Sequence, residues 1–480
     1  MQTQVTTALR ALETLPGPRP LPLIGNLAQL APGAVHLTFE SWAREYGPLY
    51  RIHWARKPAL VVADAALNAE LLRKRPDVLR RGSNLETVFA DLGGMGVFTA
   101  EGEAWRRQRS LVMQALAARN VRAFFPMLRT IGERLHGRLA EAARTALVCQ
   151  IEKDLKRFTV DVTTLLAFDT DVDTLRAGSH KLQRHLQLLF PAAMRRLLTP
   201  IPYWRWVKLP SDRRVDGALE ALHEFQTQLV AERRAMLQAG SDDPDNLLDT
   251  MLLARDEDGR PFDDEVIYAN MMVMLLGGED TTAQTLAWAI HELCDRPDLI
   301  ARAREEIDAV LGDELTPPDF EATGRMPFVD AIVQETMRLR PVAPFMIHEV
   351  LEEIVVGDVV VPAGNMVCSL TRLPALDGKH FEAPDQFRPQ RWLRDRPDDV
   401  VHKAAAHMPF GFGPRICPGR SLALIEMRVV LALLFKSFDV KRVGRAEDVR
   451  ENFQFTMGPD GLRVRFEPRA TSATPASSRA

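Results

Sequence analysis

The segment Pro409–Gly419, which reads PFGFGPRICPG, joins a cysteine to features that favour its ionised form. Cys417 is followed by Pro418 and by a long apolar run that predicts a helix. Proline is favoured at the first helical position, so Cys417 should lie at a helix N-terminus, where the dipole and free amides stabilise a negative sulfur. Because proline has no N–H, hydrogen bonds to the sulfur must come from Gly419 onward. The pattern predicts a thiolate, the form of cysteine that binds a metal.

The loop before this cysteine contains two glycines, Gly411 and Gly413. Glycine has no Cβ, so both positions are expected to let the backbone approach a flat ligand closely. The alternative is an ordinary buried cysteine in a turn. Burial as a small apolar side chain is also our interpretation of the remaining cysteines, which lie among apolar neighbours: Cys149, Cys294 and Cys368.

A long helical pattern covers Asp263–Asp295 and ends before Pro297. Its middle reads GGEDTT, Gly277–Thr282. Each glycine inside a helix costs about 1 kcal/mol relative to alanine. Nothing local requires two of them, so we expect something to pass close to the backbone. Thr281 follows Gly277 by four residues, so its hydroxyl can donate to that carbonyl and bend the helix. A simple packing kink is the alternative.

Two other helical segments place polar side chains on one face. ETMR sets Glu335 and Arg338 three residues apart, and WRRQR sets Trp105 and Arg109 four residues apart. Glu335 and Arg338 can form an ion pair, and an exposed pair of this kind contributes little to stability. Trp105 and Arg109 are both donors that can reach a carboxylate. Each pattern is weak by itself and gains meaning only from its order in the chain.

The 480 residues carry a formal net charge of −3, and 26% of them are charged, so the composition gives no indication of nucleic-acid binding. The absence of a C-x-x-C pair argues against a zinc-ribbon or thioredoxin-type site. Few cysteines suit a reducing cytoplasm, and no apolar run near the N-terminus predicts a membrane span or signal peptide. We expect a single domain over residues 1–469 and a disordered polar tail over residues 470–480.

Hydrophobic periodicity predicts mostly helices with small β pieces. The part up to about Val62 looks strand-rich. The predicted strands are Leu49–Trp54, Ala59–Val62, Glu353–Val361, Phe453–Met457 and Arg463–Phe466. Besides the long helix, the predicted helices are Glu103–Ala117, Val121–Ala143, Glu152–Phe168, Val215–Leu237, Leu299–Leu311, Phe328–Leu339 and Ser421–Lys436.

The cysteine segment follows the pattern F-x-x-G-x-R-x-C-x-G, which is read as Phe410, Gly413, Arg415, Cys417 and Gly419. This pattern resembles the haem-binding loop of the cytochrome P-450 family. The resemblance implies haem b as the cofactor, with Cys417 as the axial ligand, Phe410 packed beside the sulfur and Arg415 paired with a haem propionate. It also implies a mainly α fold with small β-sheets, in which the haem lies between a long central helix and the cysteine loop.

The middle of the long helix is similar to the oxygen-activation motif of that family. The residues that match it are Gly277, Gly278, Asp280 and Thr281. The resemblance implies that Asp280 relays protons and that Thr281 holds the distal oxygen or a water molecule. Glu279 occupies the variable position of the motif and receives no role.

The E-x-x-R helix and a later segment, FRPQRW, also occur in the family's order, and the resemblance covers roughly residues 15–468. It implies that Glu335, Arg338 and Arg391 form a hydrogen-bonded network that supports the haem loop from behind. Such a network serves folding and haem retention rather than chemistry.

The W-x-x-x-R helix implies that Trp105 and Arg109 bind a haem propionate. The chain departs from the family on the strand after the E-x-x-R helix, where an arginine usually contacts a propionate and this chain has His348. A histidine can serve there, but its charge titrates near neutral pH, so its contact with a propionate stays open.

The resemblance implies a monooxygenase that inserts one oxygen atom from O2 into a lipophilic small molecule, by hydroxylation or epoxidation. Thiolate donation favours cleavage of the O–O bond. Electrons would come from a separate donor of the ferredoxin or flavodoxin type. Four arginines could form the docking face for this donor: Arg106, Arg107, Arg119 and Arg122. The alternative is that they are ordinary solvated side chains. The alternatives are a peroxygenase, against which the Asp280–Thr281 pair argues, and a non-catalytic haem-binding sensor.

By the same resemblance, five segments rich in Met, Phe and Leu are expected to line the substrate pocket, which suits a lipophilic ligand. Fatty acids, terpenoids, steroids and polyketides are all open as substrates. The segments are Phe89–Phe98, Leu182–Leu198, Met271–Gly278, Pro344–Ile347 and Phe455–Met457.

Overall fold

The computed structural model of the protein describes residues 8–94, 96–177, 180–199, 201–239, 246–394 and 401–469. The predicted tail, residues 470–480, lies outside these ranges. Helices dominate, which confirms the predicted fold class. They are α1 Val35–Tyr46, α2 Ala65–Arg73, α3 Ser83–Ala90, α4 Gly102–Ala115, α5 Ala118–Arg144, α6 Ile151–Phe168, α7 Thr174–Ala177, α8 Lys181–Leu186, α9 Leu189–Leu198, α10 Pro210–Gln238, α11 Leu247–Leu253, α12 Asp264–Leu293, α13 Pro297–Leu311, α14 Phe320–Thr323, α15 Pro327–Leu339, α16 Arg372–Ala375 and α17 Arg420–Ser437.

The strands form small sheets. They are β1 Arg10–Ala11, β2 Leu49–Trp54, β3 Lys57–Val62, β4 Leu79–Arg81, β5 Val148–Cys149, β6 Phe345–Val350, β7 Ile354–Val356, β8 Val359–Val361, β9 Met366–Leu370, β10 Phe438–Arg442, β11 Arg450–Phe453, β12 Met457–Asp460 and β13 Val464–Pro468. The largest sheet has the order β2-β3-β9-β6-β4, and β3 and β9 run parallel within it. The others are β10-β13-β5, β1-β8-β7 and the hairpin β11-β12.

The long helix α12 runs through the interior. Two acidic residues, Asp264 and Glu265, stand in its first turn, where they complement the positive end of the helix dipole. Every residue from Thr282 to Leu293 is buried, so the second half of α12 is surrounded by protein on all sides. Its neighbours include α6, α15 and α17. This packing gives the chain a rigid central element on which a site can be built.

The predicted helices are all present, with ends shifted by a few residues. The largest shift is at α10, which begins at Pro210 rather than Val215. Proline suits the first turn of a helix because its missing N–H would have no partner there. The side chain of Asp212 also accepts a hydrogen bond from the Leu209 backbone N–H at 3.2 Å, which fixes this start.

The strands predicted before Val62 are confirmed as β2 and β3, and Glu353–Val361 contains the strands β7 and β8. One helix was missed in the N-terminal part, and one strand prediction was wrong. The N-terminal part contains α1, in which Val35, Phe39 and Ala43 are buried at helical spacing beneath the large sheet. Residues 453–457 were predicted as one strand, but β11 ends at Phe453 and β12 begins at Met457, with a turn between them. Phe455 has φ of 81° in this turn, a left-handed conformation that apolar periodicity does not reveal. None of the described helices combines the length and apolar character that a membrane crossing demands.

Candidate functional site

A cavity of about 480 Å³ lies between the middle of α12 and the cysteine segment, within the usual size range of ligand sites. Cys417, Phe410 and Gly411 line it from the cysteine side. From α12 it is lined by Val273, Met274, Gly277, Gly278, Thr281, Thr282 and Thr285. The structure therefore sets the two most distinctive sequence motifs against opposite walls of one cavity.

Cys417 is an exposed residue that lines this cavity, and protein atoms pack closely around its thiol. Burial raises its pKa, while the backbone amides of Gly419 and Arg420 and the charge of Arg109 act in the opposite direction. Helix α17 begins at Arg420, two residues later than the proline suggested, with Gly419 as its N-cap. The amides that point at the sulfur still come from Gly419 onward, as the missing N–H of Pro418 required.

The two loop glycines differ in what they allow. Gly413 has φ of +73°, and a Cβ there would come within 2.6 Å of the Leu72 carbonyl oxygen of α2. Gly413 therefore packs the loop against α2, and it does not line the cavity. Its close approach to a flat ligand stays a prediction. Gly411 has φ of +75° with no atom within 4 Å of its missing Cβ, and it lines the cavity.

The two glycines of α12 also differ in how closely other atoms approach them. A Cβ on Gly278 would lie 2.3 Å from the hydroxyl oxygen of Thr163, so this glycine allows α6 to cross α12 closely. Gly277 has no atom within 4 Å of its missing Cβ. The hydroxyl of Thr281 donates to the Gly277 carbonyl at 2.9 Å, as the four-residue spacing predicted. Thr281 lines the cavity, whereas Asp280 does not and turns away from it.

Four arginines and a histidine crowd one side of the cavity: Arg75, Arg81, Arg109, Arg415 and His348. Burial lowers the pKa of each of these groups, to about 9 for Arg75 and well below the ordinary value for Arg81. Glu101 is the carboxylate that pairs with Arg415. Within the described residues, Nε and one Nη of Arg75 have no hydrogen-bond partner.

Arg75 and Arg81 were missed from the sequence. Arg81 lies on the short strand β4, whose register places it opposite His348 on β6, and Arg75 lies in the connection between α2 and β4. Both line the cavity. Only a weak indication of their role was present in the sequence. Both arginines follow an apolar segment, in a region where no helix or strand was predicted.

His348 is fully buried and does not line the cavity. Neither ring nitrogen has a hydrogen-bond partner among the described residues, and the charges of Arg75, Arg81 and Arg415 add to burial in lowering its pKa. A neutral ring is therefore expected at physiological pH. His348 therefore lies near these arginines but outside the lining of the cavity.

Trp105 and Arg109 both line the cavity from α4, and the Arg415 guanidinium lies over the Trp105 ring at 4.8 Å from its centroid. A flat ligand with two carboxylates fits this arrangement, because the carboxylates would neutralise buried guanidinium groups that lack acceptors. The thiol on the adjacent wall suits a metal at the centre of such a ligand. Haem b has both features.

Comparison with known proteins identifies the family. The family model described as Cytochrome P450 matches residues 15–466. This chain belongs to the cytochrome P450 family. Members of the family are haem b monooxygenases with a cysteine thiolate ligand, and they use O2 and a redox partner. The chain is therefore an oxidoreductase.

Several curated P450s are similar to this chain over most of its length. The chloroplastic protein LUTEIN DEFICIENT 5 of Arabidopsis thaliana is 26% identical over 88% of this chain and 72% of its own. Mitochondrial cytochrome P450 11B2 of Mus musculus is 28% identical over 92% of this chain and 89% of its own. The self-sufficient cytochrome P450 monooxygenase CYP505E4 of Penicillium expansum is 28% identical over 95% of this chain, which spans 43% of that protein.

The E-x-x-R helix of this P450 carries a buried ion cluster. Arg338 donates to both carboxylate oxygens of Glu335, at 2.9 and 2.8 Å, and all atoms of both side chains are shielded from solvent. Arg391 donates to Glu335 at 3.1 Å, and the Trp392 ring N–H donates to it at 2.8 Å. Arg338 also donates to the Ala375 carbonyl at 2.9 Å. The structure thus brings the three predicted residues together.

This cluster reaches the cysteine loop through aromatic contacts. The Trp392 ring lies 4.9 Å from the His407 ring, and His407 immediately precedes the cavity-lining residues Met408 and Pro409. Burial lowers the pKa of His407 to about 3, so this ring packs as a neutral group. The contact supplies a physical path by which Glu335 can support the loop.

We predict that Glu335→Ala will lower the yield of folded, haem-loaded protein. Removing one partner leaves buried arginine charge unpaired, which costs about 3–5 kcal/mol, out of a total of about 5–15 kcal/mol. The matched control is Glu141→Ala, which removes the glutamate of an exposed i,i+3 pair with Arg144. Haem content and thermal midpoint should fall in Glu335→Ala and stay at the wild-type level in the control. Equal behaviour of the two variants would contradict the supporting role.

We also predict that apoprotein will bind haem b at least about tenfold more tightly than haem dimethyl ester. Esterification removes the two carboxylates, and a charge-assisted hydrogen bond contributes about 1.5–3 kcal/mol. Titration of apoprotein followed in the Soret region gives both affinities. In Arg81→Leu the difference between the ligands should shrink. Equal affinities in the wild type would show that the arginines do not bind propionates.

Proposed function

We propose that this P450 inserts one oxygen atom from O2 into a lipophilic small molecule, with Cys417 as the thiolate ligand of haem b. One observation carries the proposal: Cys417 and Thr281 line opposite walls of a single cavity, with the buried guanidinium groups at its side. The haem, when bound, supplies the oxygen-activating chemistry. Residues 1–469 are proposed to form one haem-binding domain.

The residues of the pattern are proposed to hold the haem as follows. The backbone carbonyl of Phe410 accepts a hydrogen bond from the backbone N–H of Cys417 at 2.9 Å. This hydrogen bond closes the loop around the sulfur. Gly413 and Gly419 shape the loop. Trp105, Arg109 and Arg415, joined by Arg75 and Arg81, are proposed to bind the propionates, whereas His348 is proposed to support the arginines nearest to it.

The rest of the cavity supports a lipophilic substrate. Each of the five segments expected from the sequence contributes to its lining, and most contributions are apolar: Phe98, Met194, Leu197, Leu198, Met274, Phe345, Met346, Ile347 and Phe455. Such a lining excludes water and offers few hydrogen bonds, so binding should depend on apolar contact area. Substrates that are amphipathic or wholly apolar fit this surface better than charged ones.

Thr281 and Asp280 are proposed to have separate tasks. The Thr281 hydroxyl faces the cavity and can hold a water molecule above the haem side. Asp280 lies behind it and is ion-paired with Lys156 at 2.8 Å. A carboxylate in this position can take up protons from outside the apolar cavity. This division argues against a peroxygenase, which would not need proton delivery.

A separate ferredoxin- or flavodoxin-type donor is proposed as the redox partner. Three of the four arginines suggested as its docking face already have carboxylate partners: Arg106 with Asp77, Arg107 with Asp256 and Arg122 with Glu321. They are therefore better explained as ordinary surface ion pairs. Exposed basic residues beside the cysteine loop, Arg73 and Arg420, offer a nearer face for an acidic partner.

The cytoplasmic location is also retained as a proposal. It rests on the sparse cysteines, which give no disulfide framework. The names of two similar P450s refer to chloroplasts and mitochondria, so their locations do not support it.

The test of the haem assignment is Cys417→Ser. Reduced wild-type protein with carbon monoxide should show the red-shifted Soret band of thiolate ligation, and the variant should lose it because a serine oxygen is not a thiolate. The matched control is Cys294→Ser, a partly buried cysteine away from the cavity. If Cys417→Ser keeps the band, the ligand assignment is wrong.

The proton-delivery role is tested with Thr281→Ala. The change removes the cavity-facing hydroxyl but leaves the helix and haem in place. Consumption of the electron donor should continue while product per donor falls by about tenfold. This is less than the roughly 100-fold or greater contribution of a proton-transfer group, because water that enters in place of the hydroxyl restores part of the proton delivery. Hydrogen peroxide should account for the difference. Asp280→Asn should instead slow the whole cycle. An unchanged ratio of product to donor in Thr281→Ala would refute the role.

A further inference from the structure

A second cavity, of about 530 Å³, lies on the other side of α12 and is mostly polar. Its charged groups come from three elements: Glu152, Lys153, Lys156 and Arg157 on α6, Glu279 and Asp280 on α12, and Asp460 on β12. Neutral side chains from the α8–α9 region, including Gln183, Gln187 and Phe190, complete the wall. We call this the polar cavity, and we call the one that contains Cys417 the haem cavity.

Asp280 belongs to the polar cavity. Its Oδ1 lies 2.8 Å from Lys156 Nζ, which in turn lies 2.8 Å from Glu152. Burial lowers the pKa of Lys156, but the two carboxylates outweigh this effect and raise it. The carboxylate proposed to relay protons thus lies among the charged side chains of the polar cavity rather than in the lining of the haem cavity.

Thr456 is the residue that lines both cavities among those the structure describes. Its hydroxyl donates a hydrogen bond to Oδ2 of Asp280. It follows Phe455, which stacks on Phe190 at 4.9 Å and contacts Phe89 and Phe98 in the haem cavity region. The turn between β11 and β12 therefore presents an aromatic ring to the substrate side and a hydroxyl to Asp280.

The position of this hydroxyl is fixed by close packing. A Cβ on Gly458 would lie 2.1 Å from the Gln284 side-chain oxygen, so β12 packs directly against the end of this side chain of α12. The Trp288 ring N–H of α12 donates to the Met457 carbonyl at 3.2 Å. Phe455 holds a left-handed φ of 81°, a strained conformation that persists only where its surroundings fix it.

We propose that Thr456 is a positioning residue for proton delivery, whose hydroxyl links Asp280 to the haem cavity. Asp280 accepts a proton from a group of the polar cavity and donates it to Thr456 Oγ. Thr456 at the same time releases its hydroxyl proton to a water molecule held near Thr281. One proton enters and one leaves, and reversal of the hydrogen bonds restores the starting state. The inference rests on the proposed function.

The proton source on the polar side is Glu279, which the motif comparison left without a role. Its Oε1 has no hydrogen-bond partner among the described residues, and the side chain is 4% exposed. Burial, reinforced by the neighbouring Asp280 charge, raises its pKa to about 8. Glu279 therefore carries a proton at neutral pH and can supply it to the polar cavity.

Thr456→Val tests the proposal, because it keeps the shape of the side chain and removes the hydroxyl. Thr456→Ser is the matched control, because it keeps the hydroxyl. Infrared spectra of the resting protein identify the Asp280 carboxylate band as the one absent from Asp280→Asn. That band should shift in Thr456→Val, where its donor is lost, and remain in place in Thr456→Ser. This readout requires no turnover.

Turnover supplies the second readout. With one tight-binding substrate, Thr456→Val should consume electron donor about tenfold more slowly, and Thr456→Ser should recover most of the loss. The effect is smaller than the roughly 100-fold or greater contribution of a proton-transfer group, because water molecules beside the valine can still pass protons from Asp280 to the haem cavity. Substrate affinity, measured by the spectral shift of the ferric protein, should change less than about twofold.

The outcomes separate the two proposals. A wild-type protein that lacks the thiolate band with carbon monoxide overturns the proposed function and this inference together. A wild type with that band, combined with normal turnover in Thr456→Val, overturns the inference alone. Equal losses in Thr456→Val and Thr456→Ser also overturn it, because a packing role would then explain both.

Discussion

Buried positive charge beside a thiol is the constraint on which this structure depends. Removing a guanidinium from water costs several kcal/mol unless an acceptor compensates, and Arg75, Arg81, Arg109 and Arg415 meet around one cavity with Glu101 as their protein carboxylate. A ligand that carries carboxylates turns this unfavourable cluster into an anchor. If these arginines bind the haem propionates as proposed, folding and cofactor binding are coupled, because the same buried charges that repel one another would be neutralised by the cofactor.

In the Glu335 cluster, buried arginine charge is compensated by the protein itself rather than by a ligand. There the protein supplies the acceptor itself, and one carboxylate receives donors from Arg338, Arg391 and Trp392. No ligand is required, so the cluster can form before the haem arrives. It lies on the side of the cysteine loop away from the cavity and reaches it through His407. The Glu335 cluster is therefore neutralised within the protein. The arginines beside the cysteine loop would instead be neutralised by the carboxylates of a ligand.

Local sequence chemistry explains what could be predicted. Cys417 with Pro418, Thr281 with Gly277, and Glu335 with Arg338 are short-range relations, and spacing along the chain fixes them. Arg75 and Arg81 could not be found this way, because their importance comes from contacts between elements distant in sequence. Thr456 fell within the predicted pocket segment Phe455–Met457, but its contact with Asp280 could not be predicted for the same reason. Phe455 misled the strand prediction because its left-handed φ is imposed by packing. The roles of Gly278 and Gly413 depended likewise on which helix crosses them.

The helix α12 separates two cavities of different character. The haem cavity is lined largely by apolar side chains, which suits the proposed lipophilic substrate, whereas the proposed proton delivery would start from the charged side chains of the polar cavity. Gly277 and Thr281 face the first cavity, and Glu279 and Asp280 face the second. Successive helical residues point about 100° apart, so a contiguous motif can serve both sides. One turn of α12 therefore carries residues that face both cavities, which is why the motif occupies only a few consecutive positions.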